Sequence, residues 1–448
     1  MCRAALTCVK GRGGRDSYSR RVNPLASPLL TDLYQLTMLQ AYYEQEMTQT
    51  AVFELFVRKL PPGRDFLVAA GLEQAIELLE TLRFGPEELD WIERSKIFRP
   101  EFAARLANWR FTGDVHAMPE GTLFFPDEPI LRVTAPMPEA QLVETRLLNL
   151  VHFQTVVASK AARIRLAAPG KGLIDFGLRR AHGAEAGLLA ARAAWLAGFD
   201  GSATALAAPL YGIPVFGTMA HSFVQAHDSE AAAFAHFAKA FPDNAVLLVD
   251  TYDTVEGARR AAATPGRLKG VRLDSGDLDD LSRKVRRILD EAGHRDAIIF
   301  ASGNLDEERV GALVAAGAPI DSFGVGTSLT TSADAPYLDA VYKLQEYAGR
   351  PRRKRSTAKA TWPGRKQVWR SYGADGRFAR DVVSVEGDPQ PGEPLVVPAM
   401  RAGRRLALPS LAESRERCLR ELGRLPAPAV EISPALRALA DEVDRAAR

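Results

Sequence analysis

His221 closes the stretch Gly217-Thr218-Met219-Ala220-His221, just after a short apolar run, Ile213-Pro214-Val215-Phe216, that reads as a buried strand. An imidazole so placed is presented at a strand mouth. There it can act as a nucleophile if an acceptor holds its other nitrogen protonated. Asp250, at the end of AVLLVD, is the expected acceptor. Taken as an isolated residue, His221 reads first as a satisfied core or surface histidine, the commoner fate of a lone His near a strand end. The arrangement recurs, however: GLIDFG, AVLLVDTYD, VRLDSGD, AIIFASGN and DSFGVGT each set Asp, Arg, Ser or Gly at the end of an apolar run. Parallel α/β barrels and open parallel sheets build their sites at the carboxyl ends of strands. The pattern points to an enzyme.

The elements that must position these groups divide the chain of 448 residues, which exceeds what one core usually organises. Residues 1–22 carry six cations against Asp16 alone and read as a disordered tail. Residues 23–167 mix helices and alternating strands as an α+β domain around an antiparallel sheet. There TDLYQLTMLQAYYEQE (31–46) suits a helix, AVFELFVRKL a half-buried strand, and Pro138 to Ala167 one long helix. Residues 168–340 alternate six short apolar runs with helical segments, which implies parallel strands with right-handed crossovers and an irregular parallel α/β barrel. Residues 341–448 turn basic and strand-like and end in two helical stretches, completing the first domain or forming a small third one.

Composition fits this class. Apolar residues make up 46% and charged residues 25%, enough for both a core and solubility, and a net charge of only +3 argues against a wholly nucleic-acid-binding surface. Cys2, Cys8 and Cys418 form no metal-ligand spacing and fit a reduced, cytoplasmic setting; no pair of histidines has convincing zinc spacing. No apolar run is long enough to cross a bilayer. Residues 350–370 hold nine Lys or Arg and no acid, and RPRRKRSTAK read alone is a possible nucleic-acid patch. Trp362, Pro363, Gly364 and Val368 suggest instead a folded hairpin over 361–368.

Locally, Arg272 and Asp274 lie on one side of a strand, Gly276 permits a tight turn, and Asp277 can cap the helix that follows. Ser302-Gly303-Asn304 and Phe323-Gly324-Val325-Gly326-Thr327 are Gly-bearing turns after strands, where backbone N–H groups can cradle a phosphate. Thr31 or Asp32 can cap a helix on which Tyr34 packs, and Phe176 and Arg179 can be a core ring and a surface ion-pair partner.

Taken in order, TDLYQLTM, FELFVRKLP, DFGLRRAHG, FGTMAHSF, DTYDT, RLDSGDL, FASGNLDE, FGVGT and PGRKQV make this chain similar to the nicotinate phosphoribosyltransferase family, from about Pro28 to the C-terminal helices. The resemblance implies a dimeric type II phosphoribosyltransferase. It joins nicotinate to phosphoribosyl pyrophosphate, with magnesium, at the expense of ATP through a phosphohistidine, the first step of NAD salvage from nicotinate. By this resemblance His221 is phosphorylated, Phe176 stacks on the pyridine, and Arg179 pairs with its carboxylate. Asp32 and Tyr34 reach the base from the neighbouring subunit. Arg272 faces the substrates, and Asp274 and Asp277 bind ribose hydroxyls or act through magnesium. Gly303, Asn304, Gly324, Gly326 and Thr327 take the 5′-phosphate, while Lys354, Ser356 and Lys366 turn toward phosphate groups. Nicotinamide phosphoribosyltransferase is the nearest rival. Its Gly-Thr-Asp turn offers a carboxylate to the amide, and here the turn is Gly201-Ser202-Ala203, with Ser202 in the substrate-binding turn and no acid after it.

Overall fold

A computed structural model describes residues 23–356 and 359–446, so the tail expected over 1–22, with Cys2 and Cys8, lies outside the described residues. Six short parallel strands form one curled sheet, the irregular α/β barrel expected from the repeat. Their order is Gly201–Ser202, Gly172–Asp175, Ser322–Val325, Ile298–Ala301, Leu268–Leu273 and Ala245–Leu248. The helices that return the chain start where a side chain satisfies otherwise orphaned N–H groups. Ser229, Asp253, Asp277 and Asp306 accept from Ala232, Glu256, Asp279 with Asp280, and Arg309, respectively.

One barrel member differs from expectation. Ile213–Phe216 is not a full strand: Val215 makes a single bridge to Ser202, and Gly201–Ser202 supplies the sixth strand. Pro214 has no N–H to donate, and Val215 and Phe216 are both 46% exposed at the sheet edge, so neither the ladder nor burial extends the segment. His221 therefore does not stand at a strand mouth but opens the short helix His221–Gln225.

The second sheet is antiparallel and seven-stranded, in the order Arg350–Pro351, Ala340–Tyr347, Thr50–Val57, Pro129–Pro136, Asp114–Ala117, Val397–Arg401, Arg404–Arg405. Strands from beyond residue 340 thus flank those from the first third of the chain. A four-stranded sheet packs beside it, built on the hairpin of Lys366–Tyr372 with Phe378–Val385. The hairpin starts later than expected because Pro363 cannot donate and Gly364 is left-handed, with φ +77°. This second layer explains why Thr50–Val57 is buried at every residue after the first rather than alternating. Phe53 stacks on Tyr342 at 4.9 Å on one face, while Glu54 on the other pairs with Lys366 at 2.6 Å.

The helix expected over 138–167 is two, Met137–Leu142 and Glu144–Ala167, separated at Val143. The longer one runs through the shared core and packs against Ala184–Leu196, Glu307–Ala315 and Thr327–Thr330 of the barrel half and Leu67–Val68 and Leu72–Thr81 of the other. The buried Arg192 spans the same divide, 2.6 Å from Glu120 and 2.7 Å from Glu73.

Candidate active site

Where the barrel strands end, two adjoining hollows open. The first, of about 220 Å³, is lined by Phe176, Arg179, Arg180, Arg272, Asp274, Ser302, Gly303, Asn304, Leu305, Gly324, Gly326 and Thr327. The second, of about 420 Å³, shares Phe176, Arg179, Arg272 and Asp274 and adds Leu178, Ala203, Gly217 to His221, and Leu248. Together they gather most of the residues expected at the site.

Arg272 is the fixed centre. Its Nη2 donates to Asp274 Oδ1 at 2.7 Å, its Nε to Ser302 Oγ at 2.9 Å, and its guanidinium lies 5.4 Å from the centre of the Phe176 ring. Burial alone would raise the Asp274 pKa. The Ser302 hydroxyl, Arg272 and the nearby His221 outweigh it and hold Asp274 below the ordinary carboxylate range. Phe176 is held in turn by Phe300, at 5.3 Å between ring centres, and by the backbone of Gly324, where a Cβ would come within 2.9 Å of both rings. Arg179 is the contrasting cation: it lines both hollows, is exposed, and has no hydrogen-bond or ion-pair partner among the described residues. An unpaired guanidinium beside a half-buried aromatic face is a receptor for a flat anion.

The two glycine turns meet at the far wall. Gly303 has φ +98° and sits so close to the Asp274 carbonyl that a Cβ would lie 1.9 Å from it. The N–H groups of Gly303, Asn304 and Gly326 have no acceptor among the described residues, and Thr327 opens a helical turn with a free first N–H. Four such donors on residues lining one hollow suit a phosphate.

His221 is oriented differently than expected. Its Nδ1 lies 3.2 Å from Thr251 Oγ1 and its Nε2 3.8 Å from Asp274 Oδ2. Asp250 instead accepts from the Asp274 N–H and the Ser275 hydroxyl through Oδ2, so it braces the Asp274 loop. Its buried Oδ1 has no hydrogen-bond partner among the described residues.

Other expected residues stand apart from the hollows. The Ser202 hydroxyl is buried against Asp175 at 2.7 Å, and Ala203 reaches the cavity in its place. Asp277 is the helix cap, with its side chain on Asp279 and Asp280. Asp32 accepts from Thr145 at 2.9 Å rather than capping its helix, and Tyr34 is 47% exposed on the same chain's surface. Lys354 and Ser356 are exposed and line neither hollow. Lys366 is enclosed; its ammonium is taken by Glu54, the Trp362 carbonyl and the Gly364 carbonyl, which leaves it no role toward a phosphate in this chain. Arg353, Arg365 and Arg370 likewise face Asp444, Glu346 and Asp381, so much of the basic segment is internal charge pairing. Arg180, Thr218 and Thr251 were given no role from sequence, although all three lie in the motifs quoted above. Arg180 lines the first hollow and reaches Thr327, and Thr218 accepts from Arg272.

Residues 29–152 match the nicotinate phosphoribosyltransferase N-terminal domain, and residues 172–350 match the nicotinate phosphoribosyltransferase family. A nicotinate phosphoribosyltransferase of Mycobacterium tuberculosis is 50% identical over 421 residues, covering 92% of this chain and 89% of the relative. The chain belongs to the nicotinate phosphoribosyltransferase family. A second family relative, from Bacillus subtilis, is 44% identical over 356 residues, with 76% of this chain and 72% of its own length covered. The crystal structure of human nicotinic acid phosphoribosyltransferase superposes with a TM-score of 0.82 at 32% identity, covering 92% of this chain and all of that one. Family membership and fold therefore agree.

Proposed function

We propose that this protein joins nicotinate to phosphoribosyl pyrophosphate, releasing pyrophosphate and nicotinate mononucleotide, with ATP hydrolysis coupled through phosphorylated His221. The observation that carries the reading is Arg179, unpaired among the described residues, beside Phe176 in the same hollow as four free backbone donors. Nicotinate is a flat anion, and its partner ends in a phosphate. Bound between them, the pyridine nitrogen attacks the ribose C1 as pyrophosphate leaves, and Phe176 and Arg179 fix the ring for that attack. Ala203 gives this cavity no carboxylate to repel the acid or to accept from an amide, which favours nicotinate over nicotinamide.

His221 Nδ1 at Thr251 leaves Nε2 as the nitrogen toward the cavity and Asp274, the atom we assign as phosphate acceptor. Asp250, whose Oδ1 is unpartnered among the described residues, and Asp274, held below the ordinary carboxylate range, would hold a magnesium ion. No cluster of three or more metal-ligating side chains exists among the described residues. When bound, magnesium would neutralise charge on the leaving pyrophosphate.

Asp32 and Tyr34 complete the site from a second copy in this reading, because both are exposed and neither lines either hollow of their own chain. The neighbouring Leu33 and Trp91, also exposed, give that face the apolar character of an interface between subunits. In the test, protein supplied with both substrates, ATP and magnesium should release pyrophosphate in step with mononucleotide. His221→Ala should keep slow transfer but lose its stimulation by ATP. Undiminished stimulation in that variant would remove His221 from the mechanism.

A further inference from the structure

Lys160 lies in the C-terminal half of the helix Glu144–Ala167, flanked by buried Val156, Val157, Ala158, Ala161 and Ala162, and is itself 2% exposed. A buried ammonium is costly unless its surroundings supply charge and hydrogen bonds. Its Nζ stands 2.5 Å from Glu307 Oε2 and 2.9 Å from Asp334 Oδ1. Those two carboxylates lie just downstream of different phosphate-cradle turns. Glu307 opens the helix that follows Ser302-Gly303-Asn304, and Asp334 ends the turn that follows Thr327–Thr330.

Two arginines lock the same carboxylates. Arg64 grips Asp334 with both Nε and Nη2 at 3.0 Å and donates to the Ser332 hydroxyl, and Arg163 Nη2 lies 3.1 Å from Glu307 Oε1. Ser332 is left-handed, with φ +46°, so the turn is held in a conformation it would not choose freely. None of these groups lines either hollow.

We propose that Lys160 is a positioning residue: it spans the two turns from beneath and keeps their N–H groups in register for the phosphate of the ribosyl donor. The inference rests on the cradle reading given above. An ion network that served stability alone would alter both substrates equally when weakened. One that sets the cradle should alter the donor selectively, because Arg179 and Phe176 hang from another strand.

The test uses the full chain. Lys160→Met should raise KM for phosphoribosyl pyrophosphate about tenfold or more, with KM for nicotinate and kcat at saturating donor within about threefold of the parent. Lys160→Arg, which keeps the charge, should recover part of the loss. Glu307→Gln, at the 10% exposed rim of the network, loosens one turn only and serves should Lys160→Met not fold; it should move donor KM in the same direction. Calorimetry with ribose 5-phosphate reads the cradle without turnover, and binding should weaken in step with donor KM. Absence of mononucleotide from the parent enzyme would refute the proposed reaction, while ribose 5-phosphate binding would still judge Lys160. A folded variant with unchanged ribose 5-phosphate affinity, or with both KM values raised alike, overturns the proposal.

Discussion

Arg179→Ala isolates the base-recognition half of the site. The side chain is exposed and has no partner among the described residues, so its removal strands no buried carboxylate and should leave the thermal midpoint nearly unchanged. Arg272 lacks this advantage, because deleting it would leave Asp274 without its ion-pair partner and Ser302 Oγ without the donor it accepts from. The loss should therefore appear in binding. A hydrogen bond to a charged group contributes about 1.5–3 kcal/mol, which corresponds to roughly 10- to 150-fold in affinity. Steady-state kinetics with each substrate varied in turn should show that factor in KM for nicotinate, with donor KM within about twofold. Arg179→Lys should recover less than half of the binding energy, since a point charge replaces a planar fork. Unchanged nicotinate KM alongside a collapsed donor KM would refute the reasoning and assign Arg179 to the phosphates.

Three further outcomes follow. Gly303→Ala must fit a Cβ 1.9 Å from the Asp274 carbonyl at φ +98°, so kcat/KM for the donor should fall by about 100-fold; wild-type kinetics would show that the turn is not the cradle. For Asp334, burial pushes the pKa up, but Arg64 and Lys160 overcome it and hold the carboxyl well below its ordinary value. A depressed folded pKa contributes stability above the unfolded value of about 4 and loses it as pH falls toward the folded one. The gap in melting temperature between the parent and Asp334→Asn should thus shrink as pH drops from about 6 to about 3; a constant gap would contradict the ion pairing. Finally, Tyr34→Ala mixed with His221→Ala should regain part of the ATP-stimulated activity that each lacks alone, because a mixed dimer holds one site built of intact halves. No rescue after demonstrated subunit exchange would return Tyr34 to its own chain.

Strand-end chemistry was legible because it is local. Apolar runs bounded by Asp, Gly and Ser mark where parallel strands deliver side chains, and the alternation that puts Arg272 and Asp274 on one side appears as their 2.7 Å ion pair. What sequence did not reveal depended on the third dimension. Asp250 and Thr251 are adjacent in the chain, and only the fold decides that the hydroxyl rather than the carboxylate meets His221. Lys366 belongs to a basic run suited to phosphate, yet a second sheet layer encloses it against Glu54, more than three hundred residues earlier. The same layer buries both faces of Thr50–Val57 and erases the expected alternation. Ile213–Phe216 has strand composition, but Pro214 and an edge position restrict it to one bridge.

In the proposed reaction the mouth formed by Phe176, Arg179 and Ala203 selects a pyridine acid and transfers phosphoribose to it. Nicotinate and nicotinamide, offered together at equal concentration with phosphoribosyl pyrophosphate, ATP and magnesium, give products that mass spectrometry separates directly. Nicotinate mononucleotide should dominate by at least about tenfold, the factor set by the lower bound for one charged hydrogen bond. Equal products, or an excess of nicotinamide mononucleotide, would contradict the account.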